Sequence, residues 1–423
     1  MIPEFSHQLA RRLPFFYGYV MIPVAMLLQI ATSPGQTFAV SAFTPYLRET
    51  LQLNDSQLSL AYMLGTLLAA LPLMLVGPLT DRYGLRGVSM VTIGMLSGAC
   101  YFAATVTNFY SLLAAFFLLR FLGQGSLSLL SGNAISMWFR NRIGRVSAAM
   151  SIGTAIAFAW IPEWLHGCIT TIGWRETYEW LAIIVAATML PIVLLLFCNR
   201  PEDVGQTVDG YPEAIPDQRL NACEITDSSL TLRQAIRCRA FPILAASNTV
   251  WAMAGTGIVF YLFTLCNDLG FEATVPANLF KTFGLMMLLT QLFGGVLADF
   301  LPLNRLLTIG TIMLSAGLGA AAFVRTDLAL HIFVGLFGAG QGMLLAVGNV
   351  IWVRYFGRTH LGAIRGTVWC CTVAGSGCGP LLMGVARDIW GHFDAALYLF
   401  LGMMVGLSLV AIFATPPTTS EPR

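Results

Sequence analysis

Twelve apolar runs of about twenty residues each dominate the chain: about 16–44, 56–77, 87–107, 110–137, 145–168, 177–198, 241–266, 276–295, 305–324, 329–352, 362–386 and 394–414. As helix, a run of that length spans roughly 30 Å of hydrocarbon. None shows the alternation of polar and apolar residues that a transmembrane barrel needs. Of 423 residues, 57% are hydrophobic and only 10% charged, so water alone would not solvate the apolar surface. The expectation is an all-α integral membrane protein with twelve transmembrane helices.

Six runs fall on each side of the most polar stretch, which contains Asn199-Arg-Pro-Glu-Asp-Val-Gly and Asp209-Gly-Tyr-Pro-Glu. This predicts an N-terminal six-helix bundle over 1–198, a cytoplasmic linker over 199–240 and a C-terminal six-helix bundle over 241–423. Two motifs repeat across that divide. Gly77-Pro-Leu-Thr-Asp81-Arg82-Tyr-Gly84-Leu-Arg86 returns, degraded, as Gly295-Val-Leu-Ala-Asp299 followed by Arg305, 218 residues on. Gly123-Gln124-Gly125 with Phe139 returns as Gly340-Gln341-Gly342 with Phe356, 217 residues on. Two motifs at nearly one offset indicate an internal duplication. In a hydrophobic chain that is the signature of a secondary transporter whose binding site lies between pseudo-symmetric halves.

Arginine placement sets the orientation. With both termini cytoplasmic, 17 of 22 arginines fall inside, four fall outside (Arg48, Arg175, Arg325, Arg387) and Arg120 is buried in a span. The first apolar run is too long for a signal-peptide core, and Met1–Pro14 lacks a cleavage pattern. The nine cysteines and five histidines show no metal-ligand spacing, and three thiols at Cys370, Cys371 and Cys378 without a nearby histidine make a poor zinc site. The net charge of +2 is dispersed along loops, which excludes a nucleic-acid patch. No cofactor, metal or nucleic acid is expected; the partner is the lipid bilayer, and a monomer is expected.

Gly77–Arg86 joins the second and third spans. It resembles the signature loop of the major facilitator superfamily, G-x-L-x-D-R-x-G-x-R. The resemblance implies a twelve-helix major facilitator fold and a conformational latch made by Gly77, Asp81, Arg82 and Arg86, with Asp299 and Arg305 in its echo. Within that superfamily the chain is similar to bacterial relatives of monocarboxylate and oxalate–formate porters. That similarity rests on Phe16-Tyr-Gly, Gly35-Gln-Thr-Phe-Ala-Val-Ser, Gln57-Leu-Ser-Leu-Ala-Tyr62, Asn199-Arg-Pro-Glu-Asp-Val-Gly, Thr231-Leu-Arg-Gln-Ala and Tyr355-Phe-Gly-Arg358. The chain also departs from those porters. Where they hold the carboxylate with an eighth-span arginine, nine residues before the motif aspartate, this sequence has Thr290. Where oxalate-type porters carry an eleventh-span lysine, it has Trp369, Cys370, Cys371 and Thr372.

Two cations lie inside spans, where a charge costs on the order of 3 kcal/mol to insert and so usually lines a cavity or finds a partner. Arg120 is eleven residues into the fourth span on a stripe with Gln124, Leu127, Ser128 and Ser131. It matches the fourth-span arginine of the superfamily's proton-coupled members; the alternative is a structural arginine bonded to carbonyls of the first span. Lys281, the only lysine in the chain, faces either the cavity or, by snorkelling, the periplasmic interface near Pro276. Glu163, with His166 on the same face, is the candidate for proton coupling, against an interfacial belt set by Trp160 and Trp164. Polar stripes add Gln29, Ser33, Gln36 and Thr37 around Pro34-Gly35, which should break or kink the first span near the midplane. The seventh span adds Asn248, Trp251, Thr256 and Tyr261, and Tyr62, Trp160 and Trp369 could supply further wall.

Taken together, the sequence predicts a secondary active transporter of a small organic anion, working by alternating access as a proton symporter or an anion exchanger. The substrate-binding candidates are Arg120, Lys281, Gln36, Gln124, Asn248, Trp251, Tyr261 and Trp369. The expected location is a bacterial inner membrane. One rival is a major facilitator-type exporter of amphipathic or cationic compounds, for which nine tryptophans could form a permissive pocket. An integral-membrane enzyme would need a nucleophile with its base or clustered metal ligands, and His7, His166, His331, His360 and His392 fall on separate segments.

Overall fold

A computed structural model describes residues 15–139, 143–210, 230–272, 274–298, 300–321, 326–356 and 361–417. Among them the structure is all-helical. In chain order the helices are α1 (Gly18–Ala31), α2 (Thr37–Thr50), α3 (Asp55–Tyr83), α4 (Leu85–Ala104), α5 (Phe109–Leu119), a π-helix (Arg120–Leu127), α6 (Ser128–Trp138), α7 (Ile143–Ile172) and α8 (Trp174–Leu196). There follow α9 (Leu232–Arg237), α10 (Ala240–Asp268), α11 (Val275–Leu297), α12 (Leu303–Ala321), α13 (Asp327–Phe356), α14 (Leu361–Trp390) and α15 (Asp394–Ala411). Eleven segments among the described residues are long and apolar enough to cross a membrane. The 30-residue α7 stands where the fifth predicted span lies.

The first span is broken where Pro34 and Gly35 predicted. A short 3-10 turn over Ser33–Gly35 separates α1 from α2, and Gln36 is extended, with φ −86° and ψ 146°. Pro34 cannot donate to the helical ladder, and Gly35 beside it has little preference for helix; a proline alone is accommodated elsewhere in the span, at Pro23 and Pro45. The freed hydroxyls fold back locally: Thr32 Oγ1 donates to the Gln29 carbonyl at 2.7 Å, and Ser33 Oγ donates to that of Ile30 at 2.5 Å. The fourth span is continuous but changes pitch, passing from α5 through the π-helix into α6.

The chain divides into two compact units, 1–53 with 64–216, and 54–63 with 217–423. In the first unit α4 packs along α8, and α1 packs on α6 and α7. Its core is aromatic. Phe43 stacks on Tyr178 with ring centroids 4.0 Å apart, and the fully buried Trp138 donates its indole N–H to the Cys198 carbonyl at 3.2 Å. The Phe16-Tyr-Gly phrase belongs here. The Phe16 ring packs against Trp138 and Phe139, and Tyr17 Oη donates to the Leu196 carbonyl at 2.8 Å. In the second unit α10 packs along α14, α11 and α12 along α13, and α12 on α15. Spans three and six in one unit, and nine and twelve in the other, are thus paired alike, as an internal duplication requires.

With little hydrophobic drive between helices in lipid, close backbone packing holds such bundles together, and glycine permits it. A Cβ on Gly123 would lie 3.0 Å from the Gly35 backbone. One on Gly342 would collide with the Met287 carbonyl oxygen. The repeated Gly-Gln-Gly motif therefore marks helix-crossing points in both units.

Candidate functional site

Arg120 opens the π-helix and is 4% exposed. Its Nε donates to Thr66 Oγ1 at 3.2 Å, and Nη1 donates to the Gly35 carbonyl and to Thr37 Oγ1, each at 3.3 Å. The carbonyl is one exposed by the break in the first span, so the guanidinium caps the interruption that Pro34 creates. Charge-assisted bonds to carboxylates run at about 2.7–2.9 Å, shorter than any of these three. Nearby, Gln36 Nε2 donates to Thr32 Oγ1 at 3.0 Å, and Gln124 lies half-buried within the π-helix.

Beyond Arg120 along the same span, the first unit contains a cavity of about 210 Å³. Gln29 of α1, Ser128 and Ser131 of α6, and Ser151 and Thr154 of α7 line it, together with apolar Ile135 and Met150. Ser131 Oγ donates to the Ala25 carbonyl at 2.8 Å and Thr154 Oγ1 to that of Met150 at 3.3 Å. Ser128 Oγ is enclosed and has no hydrogen-bond partner.

In the second unit, Lys281 is half-buried on α11, its ammonium 3.4 Å from Asn278 Oδ1. Asn248 donates to the Leu244 carbonyl on its own helix at 2.9 Å. The Trp251 indole nitrogen is enclosed without a hydrogen-bond partner. Trp369 is 66% exposed along α14. Tyr261, expected as cavity wall, is fully buried, and its hydroxyl donates to the Asp55 carbonyl at 2.8 Å. Glu163 and His166 are both half-buried on α7, Glu163 between the exposed Trp160 and Trp164 and His166 just beyond them.

The latch segment closes α3 and starts α4. Gly84 has φ +77°, a left-handed conformation that glycine alone adopts without strain. Next to it, Asn199 Oδ1 accepts the Arg86 backbone N–H at 2.8 Å, and the Arg86 guanidinium donates to the Leu194 carbonyl. Arg82 is exposed over the Tyr83 ring, Gly77 is half-exposed with open space around it, and Arg305 is exposed. Asp81 lies in the last turns of α3, and Asp299 falls outside the described residues. Asn199 and Gly84, with Thr80, Arg200 and Asp203, also line a cavity of about 440 Å³. Asn199 thus ties the end of the sixth span to the start of the third. Gly84→Ala is expected to destabilise the protein by about 1–3 kcal/mol, through the positive φ and a Cβ 3.1 Å from Asn199 Nδ2. Thermal unfolding in detergent checks this; an unchanged midpoint would show that the turn relaxes.

One network has no counterpart among the sequence candidates. Arg387 of α14 grips Asp268 of α10 through two bonds of 2.8 Å, and donates to Asp55 Oδ2 at 2.6 Å. The Asp388 carboxylate accepts the first backbone N–H groups of α3, from Asp55 at 3.2 Å and Ser56 at 2.8 Å. Those donors have no partner within their own helix, and a carboxylate there also meets the positive end of the helix dipole.

Comparison with known proteins decides the family. The model of the Major Facilitator Superfamily matches residues 25–282 and 252–423. The chain belongs to the Major Facilitator Superfamily. It is 24% identical over 357 residues to the uncharacterized MFS-type transporter YhjX of Escherichia coli (strain K12), covering 81% of this chain and 82% of that one. It is 24% identical to the putative metabolite transport protein NicT of Pseudomonas putida, over 77% of this chain and 76% of that protein. It is 23% identical to the sialic acid transporter NanX of Escherichia coli (strain K12), with the same shares of the two chains covered. Among solved structures, a bacterial homolog of the human lysosomal transporter Spinster, inward-facing and unoccupied, aligns with a TM-score of 0.71. It is 15% identical and covers 94% of this chain and 97% of that one. That likeness concerns the fold. The finer kinship with monocarboxylate and oxalate–formate porters rests on the sequence phrases alone.

Within this superfamily member, the described contacts bring Arg120 together with Thr37 and with the Gly35 carbonyl, the first-span contact that the structural-arginine alternative expects, and with Thr66, which the sequence reading did not single out. The cavity gathers Gln29, Ser128 and Ser131, which two separate stripes had indicated. The contributions of Ser151 and Thr154 were missed, because α7 reads as an apolar helix with isolated small polar residues.

Proposed function

We propose that this multi-pass Major Facilitator Superfamily protein is a secondary active transporter of a small organic anion. It works by alternating access, as a proton symporter or an anion exchanger, in a bacterial inner membrane with both termini cytoplasmic. Arg120 carries the reading: a guanidinium buried at mid-span, with uncharged oxygens at 3.2–3.3 Å among its partners. A carboxylate is a stronger partner than a hydroxyl or carbonyl, and a guanidinium can meet it with two parallel bonds. Contact with cargo requires the break at Ser33–Gly35 to shift and uncover the guanidinium. Lys281 would add a second positive charge on the path, and Glu163 with His166 would serve proton coupling. Gln36, Gln124, Asn248, Trp251 and Trp369 remain candidates for orienting the cargo, and Tyr261 for supporting it from behind. Support also comes from NanX, whose named cargo is itself an acid.

Counterflow into proteoliposomes across carboxylates, sugars, amino acids and dyes, with and without a pH gradient, tests the assignment. Arg120→Lys keeps the charge but loses the planar fork, and is expected to weaken anion affinity about ten-fold or more. Undiminished anion transport by Arg120→Ala would refute the anion contact and favour an exporter whose aromatic walls select the cargo. In the latch, Asp81→Asn is expected to slow turnover several-fold while leaving binding unchanged, because it shifts a conformational balance away from the pocket. An equal loss of binding would place Asp81 in the site.

A further inference from the structure

We infer, resting on the anion-transport reading above, that the cavity lined by Gln29, Ser128, Ser131, Ser151 and Thr154 receives the neutral, hydroxyl-bearing body of the cargo. The cargo is then a polyhydroxylated acid, of the sugar-acid kind, and not a plain monocarboxylate. The argument starts from the charge and polarity of the lining. Among the described residues, no ionisable side chain lines the cavity, so that lining favours neither a carboxylate nor a cation. Ser131 and Thr154 spend their protons on backbone carbonyls and offer lone pairs to the cavity. The Gln29 amide, on the same wall, both donates and accepts, as does the hydroxyl of Ser128.

A surface of mixed donors and acceptors fits alcohol groups, which also do both, whereas a carboxylate accepts only. Ser128 points the same way, since an enclosed hydroxyl with no partner is rare in folded proteins unless a ligand or water completes it. Size limits the role to part of a ligand. At about 210 Å³, the cavity is smaller than the roughly 300–1,000 Å³ of sites that enclose whole ligands. Position supplies the other part. Ser128 follows Arg120 by eight residues, at most roughly 12 Å along the helix, and Gln29 precedes the first-span break whose carbonyl Arg120 holds. Guanidinium and cavity therefore share the same two elements, at a separation that suits a carboxylate and the far end of a six-carbon acid.

The test is equilibrium binding to the purified full chain, using D-gluconate, sialic acid, the neutral polyol sorbitol and the unhydroxylated hexanoate. Gluconate or sialic acid should bind at least about ten-fold more tightly than hexanoate. Ser128→Ala and Gln29→Leu should each weaken binding of the hydroxylated acid about five-fold and leave hexanoate unchanged. Thermal unfolding of both variants verifies that they fold, and each checks the other. Hexanoate binding as tightly as gluconate overturns the proposal, as does binding of gluconate that neither substitution affects; in the latter case the anion reading survives. Sorbitol binding that is sensitive to Ser128→Ala, with gluconate no tighter, supports the cavity and refutes the anion reading. Absence of binding by all three hydroxylated probes also overturns the proposal.

Discussion

Arg387→Gln is expected to cost on the order of 2–4 kcal/mol of stability. The Asp55 side chain is 4% exposed and lies 2.6 Å from the guanidinium, while the Asp268 side chain, at 28% exposed, shares that guanidinium from the other side. Removing the arginine strands a buried carboxylate beside two others, Asp268 and Asp388. Solvent screens Asp268, so the loss comes chiefly from Asp55. Because the penalty is that of an unpaired buried charge, Asp55→Asn combined with Arg387→Gln should recover a substantial part of it. Thermal unfolding in detergent of the two single variants and the double variant reads this directly. Equal midpoints for Arg387→Gln and the unaltered protein would mean that the three carboxylates find other partners.

Gly35→Val should be more disruptive still at the level of folded yield. The new Cβ would collide with the Leu119 carbonyl oxygen and approach Gln124 N to 2.8 Å and Gly123 Cα to 3.0 Å. These are backbone atoms, which cannot swing aside as a side-chain tip can. Forcing bulk into such a crossing costs about 1–3 kcal/mol or more, and here it also pushes the first-span break away from Arg120. The expected result is loss of monodisperse protein on size exclusion. Gly94→Val is the control, since nothing lies within 4 Å of a Cβ there. Normal behaviour of Gly35→Val would show that the first and fourth spans can separate at this point.

The spans were legible because membrane thickness dictates the length of an apolar run, and no tertiary contact can override that. The break at Pro34-Gly35 was legible because proline and glycine adjoin there within a run of polar residues, whereas prolines without such neighbours, such as Pro23 and Pro45, stay within helix. The role of the Gly-Gln-Gly repeat was half legible: its recurrence showed a duplication, but only the structure identifies these glycines as crossing points. The Asp55–Arg387–Asp268 network was not legible. Its members lie up to 332 residues apart in sequence and look individually like ordinary residues at span ends. Tyr261 illustrates the same limit. Helical spacing places it on a polar stripe, yet it cannot say that the hydroxyl is committed to the carbonyl of Asp55. Asn199 read as the start of a linker because it sits among Pro, Glu and Asp, whereas its side chain holds the turn at Gly84.

The π-helix also bears on the history of the molecule. Asn108 and Thr326 cap the starts of α5 and α13, bonding the backbone N–H of Ser111 and Ala329 respectively. These caps are 218 residues apart, but by Gly123 and Gly340 the interval has fallen to 217. The fourth span therefore holds one residue more than its twin over this stretch, and α13 runs as plain α-helix throughout. In an unbroken α-helix an added residue would swing everything beyond it by about 100°. A wider turn absorbs the residue instead, and leaves both flanks facing their neighbours. Over this stretch the copies differ in length by a single residue, housed in the eight positions from Arg120 to Leu127, and the longer half is the half that carries the buried guanidinium.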